Sequence, residues 1–188
     1  NGTMRVDVRA SGTRAHSARA WKGDNAIHKL GAALTLLSEY ASETVRVDGL
    51  DYRESLSAVG VSGGVAGNVI PDEAVLSVNY RFAPATSVAD AQAFLETYFS
   101  EFDVTVTDSA PGARPGLESP IARDFVAAVG SAPAPKYGWT DVSRLAEMGI
   151  PAVNFGPGDP SLAHADDELV VVEQIRDCER ALRDWLTR

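Results

Sequence analysis

Two stretches of this chain alternate apolar and polar residues one by one, and that period demands a sheet with one buried face and one wet face. In residues 4–10, Met4, Val6, Val8 and Ala10 are apolar while Arg5, Asp7 and Arg9 are charged. In residues 75–82, Leu76, Val78, Tyr80 and Phe82 face one way, and Ser77, Asn79 and Arg81 face the other. Such strands cannot hide their apolar sides alone, so something must cover them. Two helical patterns stand ready to do so. Asp24 can cap a helix bearing Ile27, Leu30, Leu34 and Leu37 on one side. Ser87 and Asp90 have capping-box-like spacing ahead of Val88, Ala91, Leu95 and Tyr98. Residues 55–62 and 102–107 read as two further strands, and residues 11–23 as a loop. The order is β-α-β-β-α-β, the ferredoxin-like split βαβ arrangement.

That unit closes near residue 108. Pro111, Gly112, Pro115 and Gly116 then mark a linker. Ser119-Pro120 opens a helix with proline at its first position. A second helix spans residues 141–148 and is ended by Gly149. Residues 150–155 read as a short apolar strand. A turn-rich loop, residues 156–167, leads to a last helix in which Ile175, Cys178, Leu182 and Trp185 recur. The expected organisation is a ferredoxin-like unit over 1–110 and an incomplete α/β segment over 111–188. Asn1 begins almost inside a strand pattern, so the chain reads as an internal part of something longer.

The net charge of −9 over 188 residues repels phosphate backbones, which argues against nucleic-acid binding. Arg5, Arg9, Arg14, Arg19 and Lys22 cluster mildly and read as a solvated face. No stretch has the apolar length of a membrane span. Cys178 is the only cysteine, which fits a reducing cytosol, and its place in a helical pattern makes it a packing residue.

Three histidines are present: His16, His28 and His164. His164 lies in the loop after the expected strand over 150–155, followed by Asp166, Asp167 and Glu168. Loops at strand ends are where α/β proteins place active groups. Imidazole is a common zinc ligand, and carboxylates can orient it. The same residues also read as an exposed histidine among capping acids. His16 sits between strand and helix, where it could donate to an oxyanion or simply lie on a surface loop. His28, inside the first helix, is structural. Asn68, after Gly67, is a turn residue or an amide donor. Arg81 suits bidentate carboxylate binding, or solvation. Thr140-Asp141 is first a cap. With Gly138 before it, the same helix start also offers N–H groups to an anion. No phosphate-loop, dinucleotide or nucleophile-elbow motif is present.

Four motifs, in order, resemble one family. Gly12-Thr13-Arg14-Ala15-His16-Ser17-Ala18 with Asp24-Asn25-Ala26-Ile27-His28-Lys29 resembles the loop and helix start of the lid in the zinc metallopeptidase/amidohydrolase family. Gly67-Asn68-Val69-Ile70-Pro71 with Asn79-Tyr80-Arg81-Phe82 is similar to the lid's second signature. Gly138-Trp139-Thr140-Asp141 and residues 156–168 resemble the last two signatures of its catalytic domain. That family holds diaminopimelate desuccinylases, acetylornithine deacetylases, aminoacylases and several carboxypeptidases. Tyr137 to Arg144 is most similar to its actinobacterial desuccinylase branch. The chain departs from many relatives at Arg19, where Tyr is usual, and near Asp159, where Asn is usual.

The resemblance implies a ferredoxin-like lid and dimerisation domain followed by the end of an α/β catalytic domain. It implies metal-assisted hydrolysis of an N-acyl amino acid by a cytoplasmic homodimer paired through the lid. It implies two divalent metals per full-length subunit, zinc by preference with cobalt as the alternative. His164 matches a metal ligand. His16 matches the oxyanion-stabilising histidine that acts on the partner's site. Asn68, Arg81, Gly138 and Thr140 match substrate-binding positions. The other ligands and the general base stand before the lid in the family, so these 188 residues alone are expected to be inactive. A related deacylase is the alternative within the family. A non-catalytic, effector-binding ferredoxin-like module is the alternative outside it.

Overall fold

The computed structural model describes residues 1–187. Strand β1 (Thr3–Ser11) and a two-residue strand β2 (Ala15–His16) lead through a 3-10 turn (Ser17–Lys22) to helix α1 (Ala26–Glu39). A hairpin of β3 (Thr44–Val47) and β4 (Leu50–Arg53) follows, then β5 (Ser55–Gly63), β6 (Val69–Ile70) and β7 (Glu73–Arg81). Helix α2 (Val88–Tyr98) and β8 (Asp103–Ala110) complete the unit. The main sheet is antiparallel in the order β5-β7-β1-β8. Counting only these four strands along the chain, the order is the ferredoxin-like one, with each helix crossing over a neighbour.

The alternation does what its period requires. Met4, Val6 and Val8 of β1 and Leu76, Val78 and Tyr80 of β7 are buried against Leu30 and Ala33 of α1 and Ala91 and Leu95 of α2. Each large aliphatic side chain so enclosed stabilises the fold by roughly 1.5–3 kcal/mol. The opposite face is polar. There Ser77 donates to Asp7 at 2.9 Å, and Arg9 pairs with Glu73 at 2.7 Å. Helices therefore cover one side of the sheet only.

Several local expectations need correction. The cap of α1 is Asn25, whose Oδ1 accepts from Ile27 N at 2.9 Å and His28 N at 3.3 Å. Asp24 instead pairs with Lys29. The buried stripe of α1 is Ala26, Leu30 and Ala33, while Ile27 and Leu34 stay exposed. Small residues let the helix sit close to the sheet, which rotates the bulkier pair outward. Ser87 does cap α2, accepting from Asp90 N at 3.1 Å. The hairpin β3–β4 adds two strands to the expected set. Its turn is Asp48-Gly49, with φ of 47° and 88°, as a two-residue type I′ turn requires.

Beyond the linker lie α3 (Pro120–Val129), α4 (Val142–Glu147) and α5 (Val172–Leu186). Ser119 caps α3 at Ala122 N (3.2 Å), and Gly130 closes it in the left-handed region. Residues 150–155 do not form the expected strand. A strand needs a ladder partner, and no strand among the described residues pairs with them. Phe125 packs edge-on against Phe155 and Trp185, at 5.2 and 5.0 Å between ring centroids. That small cluster leaves Ile175, Leu182 and Leu186 of α5 exposed, with Cys178 half-buried. The segment touches the first unit at defined points. Ser143 Oγ donates to Pro111 O at 2.6 Å, and Arg114 grips Asp48 through Nε (3.0 Å) and Nη2 (2.5 Å).

Candidate functional site

The six sequence-derived candidates do not meet at one place: one group lies beyond one end of the main sheet, Arg81 closes a central strand at the other, and Gly138, Thr140 and His164 follow the linker. His16 and Asn68 form that group. Strands β2 and β6 pair Ala15 with Ile70 and His16 with Val69. Ser17 N donates to Asn68 O at 2.9 Å. Both residues thus sit beyond the Ser11–Glu73 end of the sheet, side by side and exposed.

The His16 imidazole has a defined chemical orientation. Its Nδ1 accepts the Ala18 N–H at 3.1 Å. An accepting nitrogen carries no proton, so in the neutral ring the proton is on Nε2. The neutral His16 ring therefore offers an Nε2–H donor on its other side.

Arg81 closes β7, eight residues past Glu73, which at the usual strand rise is about 26 Å away. Burial, then the nearby Arg5, pulls its pKa below the ordinary guanidinium value, with Asp108 opposing. Asn1 beside it donates its main-chain nitrogen to Lys136 O at 2.8 Å. Gly138 and Thr140 follow Lys136 and line a cleft of about 790 Å³ between the two halves, together with Asn1, Tyr52, Asp159 and Glu168.

The side-chain cap expected at Thr140-Asp141 is not formed. Asp141 makes no side-chain cap, and the Ser143 and Arg144 N–H groups already donate to Thr140 O and Asp141 O at 3.0 Å. Helix α4 has only six residues.

His164 is not among the residues lining the cleft, although Ala163 just before it and Glu168 four residues on both are. It is exposed, with φ of 68°. Its backbone N–H donates to Glu168 Oε2 at 3.0 Å. On the same loop, Ser161 donates through Oγ (2.7 Å) and N (2.8 Å) to Asp159, and these bonds hold that carboxyl below the usual range. Among the described residues no three His, Cys, Asp or Glu side chains converge on a point that could hold a metal. The chemistry on offer here is one imidazole on a loop, which alone is too few donors for a divalent cation.

Sequence reading missed three contacts. Glu54 is buried, accepting from the Tyr80 hydroxyl and the Ala83 N–H, each at 2.7 Å. The Arg14–Asp72 and Arg114–Asp48 pairs each join residues far apart in the chain. Only Asp48-Gly49 carried a local signal, the hairpin turn. The others are juxtaposed by folding alone.

Fold and geometry together define a ferredoxin-like module followed by a short helical segment. The chain belongs to the M20 peptidase dimerisation-domain family, whose profile it matches over residues 1–106. It is 57% identical over 187 residues to a Mycobacterium tuberculosis protein named as a succinyl-diaminopimelate desuccinylase, DapE, spanning 98% of this chain and 53% of that protein. It is 46% identical over 192 residues to the succinyl-diaminopimelate desuccinylase of Corynebacterium glutamicum, spanning 99% of this chain and 52% of that one. The chain thus spans about half the length of these curated relatives. A di-peptidase structure from Saccharomyces cerevisiae shares the fold, with a TM-score of 0.72 at 12% identity, covering 98% of this chain and 53% of that one. No helix among the described residues is long and apolar enough to cross a membrane.

Proposed function

We propose that this chain is the lid and the following catalytic-domain segment of a metal-dependent amidohydrolase. Its reaction is hydrolysis of N-succinyl-LL-2,6-diaminopimelate to succinate and LL-diaminopimelate, in the cytoplasm. The naming of both relatives supports the substrate. The observation that carries the mechanism is the separation of His16 and Asn68 from Arg81 by the length of a strand. One copy of the chain does not bring these groups to a single small substrate. A second copy does, if the lids pair and each lends its loop to the other's cleft.

The exposed apolar strip on β5 and α1 supports that pairing. Strand β5 is a sheet edge, with Val59 and Val61 exposed, and Ile27 and Leu34 of α1 are exposed as well. Unpaired edges of this kind invite another strand. The domain boundary falls near residue 110. The apolar side of α5 is covered by the remainder of the catalytic domain.

Each residue then has a role. His164 is one metal donor, and the remaining donors and the general base come from polypeptide outside these residues. His164 and those outside donors would hold the divalent metals, zinc by preference, which when bound would supply Lewis acidity for amide hydrolysis. His16, protonated on Nε2, donates to the oxyanion that develops as water adds to the amide carbon, with Asn68 beside it. Arg81 holds a substrate carboxylate. Gly138 and Thr140 shape the cleft floor.

The test is the full-length protein assayed with N-succinyl-diaminopimelate and with N-acetylornithine. Preference for the succinyl substrate is expected. His16→Ala should lower kcat by about 10²–10³-fold while leaving metal content unchanged. Equal turnover of both substrates removes the specific assignment. Unchanged kcat in the variant removes the role of His16.

A further inference from the structure

We propose that Arg14 and Asp72 are a positioning pair that holds the His16 segment and the Asn68 segment together as one unit. The inference rests on the oxyanion role given to His16 above. It assigns work to two residues that role does not name.

Both segments are connections rather than parts of the packed sheet. Residues 12–25 join β1 to α1, and residues 64–72 join β5 to β7. Their backbones meet at three places: Gly12 N donates to Asp72 O at 2.8 Å, β2 pairs with β6, and Ser17 N donates to Asn68 O at 2.9 Å. A ladder of two residues per strand is marginal on its own. Arg14 adds a side-chain tie. Its Nε and Nη2 donate to the same Asp72 oxygen, at 3.0 and 2.9 Å. The planar guanidinium fixes the direction of this contact as well as its length. Arg14 is two residues before His16, and Asp72 is four after Asn68. Fixing this pair therefore fixes where both amide and imidazole sit.

The pair is solvent-facing, with side chains 58% and 38% exposed. Ion pairs of that kind add little to global stability. A displacement of about an ångström at a catalytic donor, by contrast, is costly for turnover. The pair should therefore matter for rate and hardly at all for folding. A purely structural contact would show the reverse pattern.

The experiment uses the full-length, metal-loaded enzyme. Arg14→Ala and Asp72→Ala should each lower kcat by about tenfold, with KM changed by less than about twofold and the thermal midpoint nearly unmoved. The swap R14D/D72R should restore most of the loss. Arg14→Lys should restore less, because an ammonium lacks the fork. Amide hydrogen exchange should quicken at Gly12 and Ser17 in the alanine variants and slow again in the swap. His16→Ala is the reference arm. If it loses activity while the Arg14 and Asp72 variants keep theirs, the positioning role is wrong and the function stands. If His16→Ala itself keeps full kcat, the proposed function of that histidine fails first. Loss of activity with no rescue by the swap also overturns the pair.

Discussion

The Tyr80 hydroxyl donates a 2.7 Å hydrogen bond to Glu54, and both residues are buried. This contact fastens the β4–β5 corner to the central strand β7, since Glu54 also takes the Ala83 N–H. Tyr80→Phe leaves the carboxylate one donor short. A loss of about 1–3 kcal/mol is expected, read as a lower urea midpoint with an unchanged slope. An unmoved midpoint would mean that water replaces the hydroxyl freely.

The same region sets an alkaline limit. Burial, with Glu54 and Glu43 nearby, pushes Tyr40 up to about 12, and burial with the Glu54 hydrogen bond raises Tyr80. Unfolded tyrosine titrates near 10. A folded pKa above the unfolded one gives stability that is complete below about pH 10 and is lost as pH climbs through the folded value. Denaturation midpoints should therefore be flat to about pH 9 and fall toward pH 12, and Tyr40→Phe should reduce the slope. A midpoint that rises over that window would contradict the sign.

Gly12 is a steric requirement of the His16 loop. A Cβ at this position would lie 2.0 Å from the Asp24 carbonyl oxygen, which is backbone and cannot swing away. Gly12→Ala should destabilise by roughly 1–3 kcal/mol. It should also shift the Thr13–Asp24 bridge, visible as altered amide resonances for residues 13–24. Wild-type resonances there would show that the loop yields at no cost.

If His164 is a metal donor, the full-length His164→Ala protein should bind less than its full complement of zinc, measured by elemental analysis after dialysis. The chain of 188 residues alone should show no amidase activity with zinc added, because one imidazole cannot hold the metals. Full metal content in the variant would dismiss the assignment.

Val61 on β5 is 67% exposed at a sheet edge. Val61→Lys places a charge where a second strand would pair. If the lids pair along this edge as proposed, light scattering should show a dimer for the wild type and a monomer for the variant. A dimer that persists must pair elsewhere.

Much of this protein was written in its local patterns. The alternations in β1 and β7, and the Ser87 and Ser119 caps, depend on neighbours a few residues away, so periodicity and side-chain chemistry reveal them. Asp48-Gly49 is equally local, a two-residue turn that joins β3 to β4. The candidate residues were recognisable as types, since a loop histidine after a strand is visible in one dimension. Tertiary structure alone decided their grouping. It set His16 beside Asn68, left Arg81 a strand's length away, and joined Arg14 to Asp72 across 58 positions. Residues 150–155 mark the same boundary from the other side: their apolar run suits a strand, but a ladder needs a partner that sequence cannot place. Local order follows from forces between near neighbours. A site or a ladder depends on which distant segments the collapsed chain brings into contact.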